Sequence, residues 1–215
     1  MDLRLFPLQT VLFPGMRMPL HVFEERYQLM IRECIEEETS FGVMLIKSGV
    51  EVGGPAEPHD VGTTARILQT QYLDDGRMNL FTIGERRFRL IALNTTQPYL
   101  RGEVTFLDQQ ESTAGARDLL PEAQERFDQY LRTYLALGDQ WTRGVRLPAE
   151  PADAGDYIAA RMDVAAATKQ ELLEQLSPEA RLLRELEILS AELPEMQARL
   201  AGHLREKTSG FGVLN

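Results

Sequence analysis

The side chains of this chain that could do covalent or acid–base chemistry are few and scattered. The single cysteine, Cys34, falls beside Ile31 and Ile35 on what reads as the apolar face of a helix. No histidine is placed next to it, so it is expected to be a small buried residue rather than a nucleophile. His21, His59 and His203 have no zinc-ligand spacing and no cysteine pair to complete a site. Glu36, Glu37 and Glu38 form a charge run at a helix end, expected to be solvated, and nothing in the pattern brings two carboxylates into one cleft. No G-x-x-x-x-G-K-[ST] segment is present to cradle a triphosphate. The expectation is therefore no catalytic residue, no metal, no cofactor and no enzymatic activity. A small-molecule-binding or hydrolytic protein with an unrecognised site is kept as an alternative.

Binding chemistry remains. Arg86, Arg87, Arg89 and Arg101 would suit a basic face for RNA. However, residues 1–110 hold eleven Lys and Arg against fifteen Asp and Glu, and the whole chain carries a net −10. An acidic chain is a poor default partner for nucleic acid or an anionic membrane. Those arginines are expected on a solvated strand face, paired with Glu24, Glu85 or Glu103. The other binding signature is apolar. Phe13, Met16 and Phe23, with Pro14, Pro19 and His21 between them, lie in one short segment rich in methionine and aromatic residues. Such surfaces adapt to varied partners.

The elements that position this segment follow from its spacing. Pro14-Gly15 is a turn signal. Met16, Met18, Leu20 and Val22 then alternate with Arg17, Pro19 and His21, a period of two that gives a half-buried strand with Met18, Leu20 and Val22 inward. Pro7, Pro14 and Pro19 suit no central strand, so Pro19 marks an edge. At Phe23 the period changes to helical, with Tyr27, Ile31, Cys34 and Ile35 on one face. Residues 41–47 read as a buried strand and 48–60, rich in Gly and Pro, as a loop. Strands are expected at 63–72 and 78–83 around an Asp74-Asp75-Gly76 hairpin turn, followed by a break at Gly84-Glu85 and further strands through Phe106.

Beyond residue 108 the pattern is helical throughout. Pro121 is expected to open a helix with Phe127, Leu131, Tyr134 and Leu135 on one face, stopped by Gly138. Thr168 and Glu171 have capping-box spacing, and Ser177-Pro178 reads as a cap with proline at the first helical position. Leu182, Leu186, Leu189 and Leu193 form a stripe, which suits packing within the bundle or a weak homo-oligomer. Pro194 should break the helix, and 208–215 read as a frayed tail. Hydrophobic residues make up 43% and charged residues 26%, enough to bury a core. No apolar run is long enough to cross a bilayer and no signal peptide is evident, so no membrane partner is expected and the cytoplasm is the default.

The ordered set of motifs resembles the Lon protease N-terminal (substrate-recognition) domain family. It comprises Leu5-Phe6-Pro7-Leu8, Val11-Leu12-Phe13-Pro14-Gly15, Pro19-Leu20-His21-Val22-Phe23-Glu24 and Arg26-Tyr27. Gly62-Thr63-Thr64-Ala65-Arg66-Ile67, Gly84-Glu85-Arg86-Arg87-Phe88 and Lys169-Gln170-Glu171-Leu172-Leu173-Glu174 with Arg181-Leu182 continue it. The resemblance covers roughly residues 3–205 and lacks the family's ATPase and peptidase parts. It implies an α+β fold: a PUA-like β-barrel with one inserted helix over 1–110, then a C-terminal α-helical bundle over 111–215. It implies a non-catalytic module that binds unfolded or exposed apolar polypeptide segments, or other proteins. The candidate surface is Phe13, Pro14, Met16, Pro19, His21 and Phe23, beside the 48–60 loop. Arg26 and Arg87, in family-like segments, are expected to hold the first helix against the barrel through carboxylate pairs such as that with Glu24. An RNA-binding PUA-like protein is the other alternative.

Overall fold

A computed structural model describes residues 1–53 and 56–210 of the chain. The elements among them are β1 (Asp2–Leu8), β2 (Arg17–Val22), α1 (Glu25–Glu36), β3 (Phe41–Gly49), β4 (Ala56–Tyr72) and β5 (Met78–Asn94). They continue with β6 (Leu100–Phe106), α2 (Ala114–Leu137), α3 (Pro151–Arg161), α4 (Ala166–Glu174) and α5 (Pro178–Gly210). The class is α+β, as expected. Two compact units form: Met1–Gln110 with Ala159–Leu176, and Glu111–Ile158 with residues 177–210. The single boundary expected at 110/111 is thus corrected, because the segment carrying α4 returns to the strands.

In the first unit one mixed sheet runs β2-β5-β4-β3-β1-β6, and β5 also pairs with β6, so the pairing returns on itself. Only β1 and β3 run parallel. β2 pairs with β5 alone, which makes it an edge carrying Pro19. Pro7 is tolerated inside β1 because β6 pairs only with Asp2 to Leu5, leaving Pro7 bonded on the β3 side alone.

Two turn predictions hold. Pro14 and Gly15 occupy the centre of a tight turn in which the Met16 N–H donates to the Phe13 carbonyl at 3.0 Å. Gly15 has φ +73°, which the third position of a type II turn requires. The 74–76 hairpin turn joins β4 to β5. Two other readings are corrected. The 48–60 loop is shorter, because β3 runs to Gly49 and β4 starts at Ala56; its Gly54 and Pro55 lie outside the described residues. The break at Gly84-Glu85 is instead a register shift within one continuous strand, between the Thr63 and Ala65 pairings. Gly84 is needed there: a Cβ would lie 2.2 Å from the Phe13 carbonyl oxygen. Its own backbone clamps the turn, donating to the Met16 carbonyl and accepting from the Gly15 N–H, both at 2.9 Å.

α1 buries Tyr27, Met30, Ile31 and Cys34 against a core that includes Phe6, Phe41, Met78 and Leu80. Phe6 stacks on Tyr27 with centroids 4.1 Å apart. The polar tie between α1 and the sheet is Arg4, which the alternation of β1 does not single out. Its Nε donates to Glu33 at 3.0 Å and its Nη2 to Glu37 at 2.7 Å, and Tyr99 also hydrogen-bonds Glu33. Glu37, expected to be solvated, is therefore an ion-pair partner. These contacts hold the Arg4 guanidinium charged, Glu37 contributing most. The Tyr99 and Arg4 hydrogen bonds depress the Glu33 carboxyl.

Arg87, expected to hold α1 through a carboxylate, is buried and reaches α4. Its Nε donates to the Leu173 carbonyl at 2.8 Å and its Nη1 to Gln109 at 3.2 Å. Leu173 lies in the last turn of α4, where carbonyls lack helical donors. On the same helix Gln170 donates to the Val61 carbonyl at 3.0 Å. Arg87 thus anchors α4 to the sheet. The expected capping box is absent: α4 starts after Ala165 without a side-chain cap, and Thr168 and Glu171 lie inside it.

In the second unit α2 begins at a Thr113 cap, so Pro121 lies within the helix rather than opening it. The buried face is Ala116, Ala123, Phe127, Tyr130 and Thr133, turned from the one expected; Tyr134 is exposed. α5 starts as expected, the Ser177 hydroxyl accepting from the Ala180 N–H at 3.3 Å. Leu182, Leu186, Leu189 and Leu193 are buried, and the helix continues through Pro194, which is exposed. Arg181, wholly buried, donates to the Ala152 carbonyl at 2.9 Å and faces Asp156 at 3.5 Å. The tail expectation lies, from residue 211, outside the described residues.

Two outcomes follow for stability. Arg4→Ala should cost about 2–3 kcal/mol by chemical denaturation, less than a fully buried pair because both glutamates are part-exposed. Glu33 is lowered in the folded state, so its contribution is complete above the ordinary value of 4.5 and is lost as pH falls through the folded value. The Arg4→Ala penalty should accordingly shrink in acid, and a pH-independent penalty would overturn the pairing. Arg87→Ala should cost about 3 kcal/mol by stranding the Leu173 carbonyl and the Gln109 amide. An unchanged denaturation midpoint would show that Arg87 is no anchor.

Candidate functional site

The segment from Phe13 to Phe23 does not act as one surface. Phe13 is wholly buried, so it belongs to the core and leaves the candidate surface. Pro14 is half-buried in the turn. Met16, also half-buried, borders a separate cavity of about 310 Å³ with Gly15, Arg17, Ala160 and Arg161. Pro19, His21 and Phe23 do come together. With Leu20, Val22 and Glu24 they line a cleft of about 130 Å³ whose other wall is Phe6 and Leu8 of β1 and Tyr27 of α1.

Each wall has a local cause. β2 ends at Val22, and Phe23 precedes the helix with 46% of its surface exposed, its carbonyl accepting from the Gln28 side chain at 3.0 Å. His21 lies on the outer face, its Nδ1 2.7 Å from Asn79 Oδ1, and its ring is stacked at 6.0 Å on Phe23. Glu24 stands at the helix N-terminus but does not cap it. Its carboxylate instead takes Arg26 at 2.9 Å and the Gly53 N–H at 3.2 Å. Arg26 also lies 4.5 Å over the Tyr27 ring. Arg26 and Glu24, expected to hold α1 against the strands, pair with each other at the start of α1 and reach residues 51 and 53 at the cleft mouth. Glu51, which lines the cleft, accepts from the Gln9 N–H at 2.7 Å. Burial pushes the Tyr27 phenol up to about 12, so the floor stays uncharged.

Cys34 is buried, and burial raises its thiol. Among the described residues no cluster of three or more His, Cys, Asp or Glu is placed to hold a metal ion. Of the arginines considered for a basic face, Arg101 pairs with Asp2, Arg86 covers the Phe106 ring at 4.0 Å, Arg87 is buried and Arg89 is exposed. The cleft residues not foreseen as lining are Phe6, Leu8, Leu20, Val22 and Tyr27, while Glu51 and Val52 belong to the loop expected beside the surface. Phe6 and Leu8 carry only the signal of a core strand, and Glu51 and Val52 only that of a Gly/Pro loop. No helix among the described residues is long and apolar enough to cross a membrane.

The chain is 26% identical over 202 residues to Lon protease 1 of Hydrogenovibrio crunogenus, covering 92% of this chain and 25% of that protein. It is 29% identical over 196 residues to the Lon protease of Anaeromyxobacter dehalogenans, covering 87% and 23%. The chain therefore spans about a quarter of the length of the curated relatives it matches. A crystal structure of a Lon N-terminal domain protein from Xanthomonas campestris superposes with a TM-score of 0.64 at 28% identity, covering 87% of this chain and 98% of that one. The N-terminal domain of a Mycobacterium avium complex Lon protease has the same fold, with a TM-score of 0.68 at 21% identity over 88% and 98%. The family described as the ATP-dependent protease La (LON) substrate-binding domain matches residues 2–191, and the chain belongs to that family.

Proposed function

We propose that this chain is a polypeptide-binding module that takes unfolded or exposed apolar segments of substrate proteins into the cleft beside β2. The observation that carries the reading is the cleft itself, with Phe6, Leu8, Leu20, Val22 and Tyr27 in its walls and Phe23 exposed beside it. Family membership supports it, since the family is described as substrate-binding. In this reading the self-closing strand pairing is a PUA-like barrel, and α2 with α5 forms a helical bundle. The module acts by binding, with no chemical step of its own. It works in the cytoplasm.

Affinity comes from apolar area, about 25 cal/mol per Å² before ordering costs, so one short segment should bind at micromolar concentration or weaker. Titration of a labelled unfolded polypeptide tests this. Raising salt tenfold should change the dissociation constant by less than about threefold, whereas phosphate-backbone binding would fall by orders of magnitude. Phe23→Ser, exposed and therefore expected to fold, should weaken binding about fivefold or more. Unchanged binding by the folded variant would place the site elsewhere.

A further inference from the structure

Resting on the polypeptide-binding reading, we infer that the bound segment adds to the sheet as a strand along the free edge of β2, with an apolar side chain in the cleft and a lysine or arginine beside it.

The backbone of β2 is divided between two directions. Gly84 donates to the Met16 carbonyl, and the Thr82 hydroxyl donates to the Met18 carbonyl at 2.8 Å. In an antiparallel pair such bonding alternates, so residues 16, 18, 20 and 22 turn their backbone groups to β5. Arg17, Pro19 and His21 turn theirs away. No strand among the described residues pairs with that side, whereas every other strand of the sheet has partners on both sides. The edge therefore presents three carbonyls and, because proline has no N–H, two amide donors. Pro19 weakens the edge as a template for unselective pairing without removing it.

The cleft lies along this edge. Six consecutive residues, Pro19 to Glu24, line it. A groove over one face of a strand would touch alternate residues, since successive side chains point to opposite faces. Phe6 and Leu8, two residues apart on β1, form the far wall, so an apolar side chain of the added strand meets an apolar face. The occupant's charge follows from the rim. The cleft lining contains two carboxylates, Glu24 and Glu51, and no lysine or arginine. Glu24 is neutralised by Arg26, which leaves Glu51 to favour a cation. Main-chain bonds would make recognition tolerant of sequence, as capture of varied unfolded segments needs, while the cleft and Glu51 set a preference.

The test uses the full chain and a short labelled peptide alternating leucine with lysine. Two further versions carry N-methyl groups on the backbone of one or the other alternate set of residues. One methylated version should lose about tenfold or more, as two unmade backbone bonds require, and the other should bind like the parent. Equal binding by both versions overturns strand addition while leaving the polypeptide-binding reading standing; failure of the parent peptide to bind overturns both. Hydrogen exchange at Arg17 and His21 should slow in the complex, and unchanged exchange there counts against the proposal. Glu51→Gln should weaken the lysine peptide two- to fivefold and leave a glutamine version unchanged. Concentration-dependent dimerisation that occupies the β2 edge in place of peptide would overturn the proposal in favour of a second copy as occupant.

Discussion

Strand β5 has three neighbours, and the first unit depends on that. It pairs with β2 and β4 over its first half and with β4 and β6 over its second. One strand can serve three partners only if it is long and bends between them, and the register shift beside Gly84 lies between the two halves. The same glycine holds the Phe13–Met16 turn, because no side chain could fit against the Phe13 carbonyl. The bend and the placement of β2 therefore have one origin. β2 leaves the turn already registered on β5, and its other edge stays open.

Two buried arginines then cover the faces of the sheet. Arg4 reaches the part-exposed Glu33 and Glu37 of α1 and its end, and Arg87 reaches the Leu173 carbonyl in the last turn of α4. A guanidinium with its several donors suits this role better than an ammonium, because it meets two acceptors in fixed directions. The helix tied down by Arg87 comes from residues 159–176, so the unit is completed by sequence far from its strands.

With the framework fixed in this way, the cleft is a consequence of what the strands do not fill. Phe6, Leu8 and Tyr27, all core residues, form its wall, and the short 51–53 segment, held by Glu24 and Arg26, borders it. An open strand edge and an apolar wall side by side suit an extended chain more than a compact ligand. In the proposed reading the site works through donors, acceptors and apolar area.

The sequence by itself determined the local structure. The Pro14-Gly15 turn, the alternation through Val22, the edge assignment of Pro19, the helical face of Tyr27, Ile31 and Cys34, and the Ser177 cap all follow from backbone sterics and spacing within a few residues. Half of the candidate surface, Pro19, His21 and Phe23, was legible for the same reason. Only the tertiary structure decided what depends on distant segments. Phe13 is core because Gly84 comes up against its backbone. That Arg87 meets α4 is not legible, because alternation says which face a residue takes, not what covers that face. Gly84 read as a break because a glycine in a bent strand and one in a turn look alike in sequence. Arg4 lay hidden in an apolar strand, since only packing places Glu33 and Glu37 over it. The cleft brings β1 and β2 beside the 51–53 segment, a proximity set by long-range pairing that no local pattern encodes.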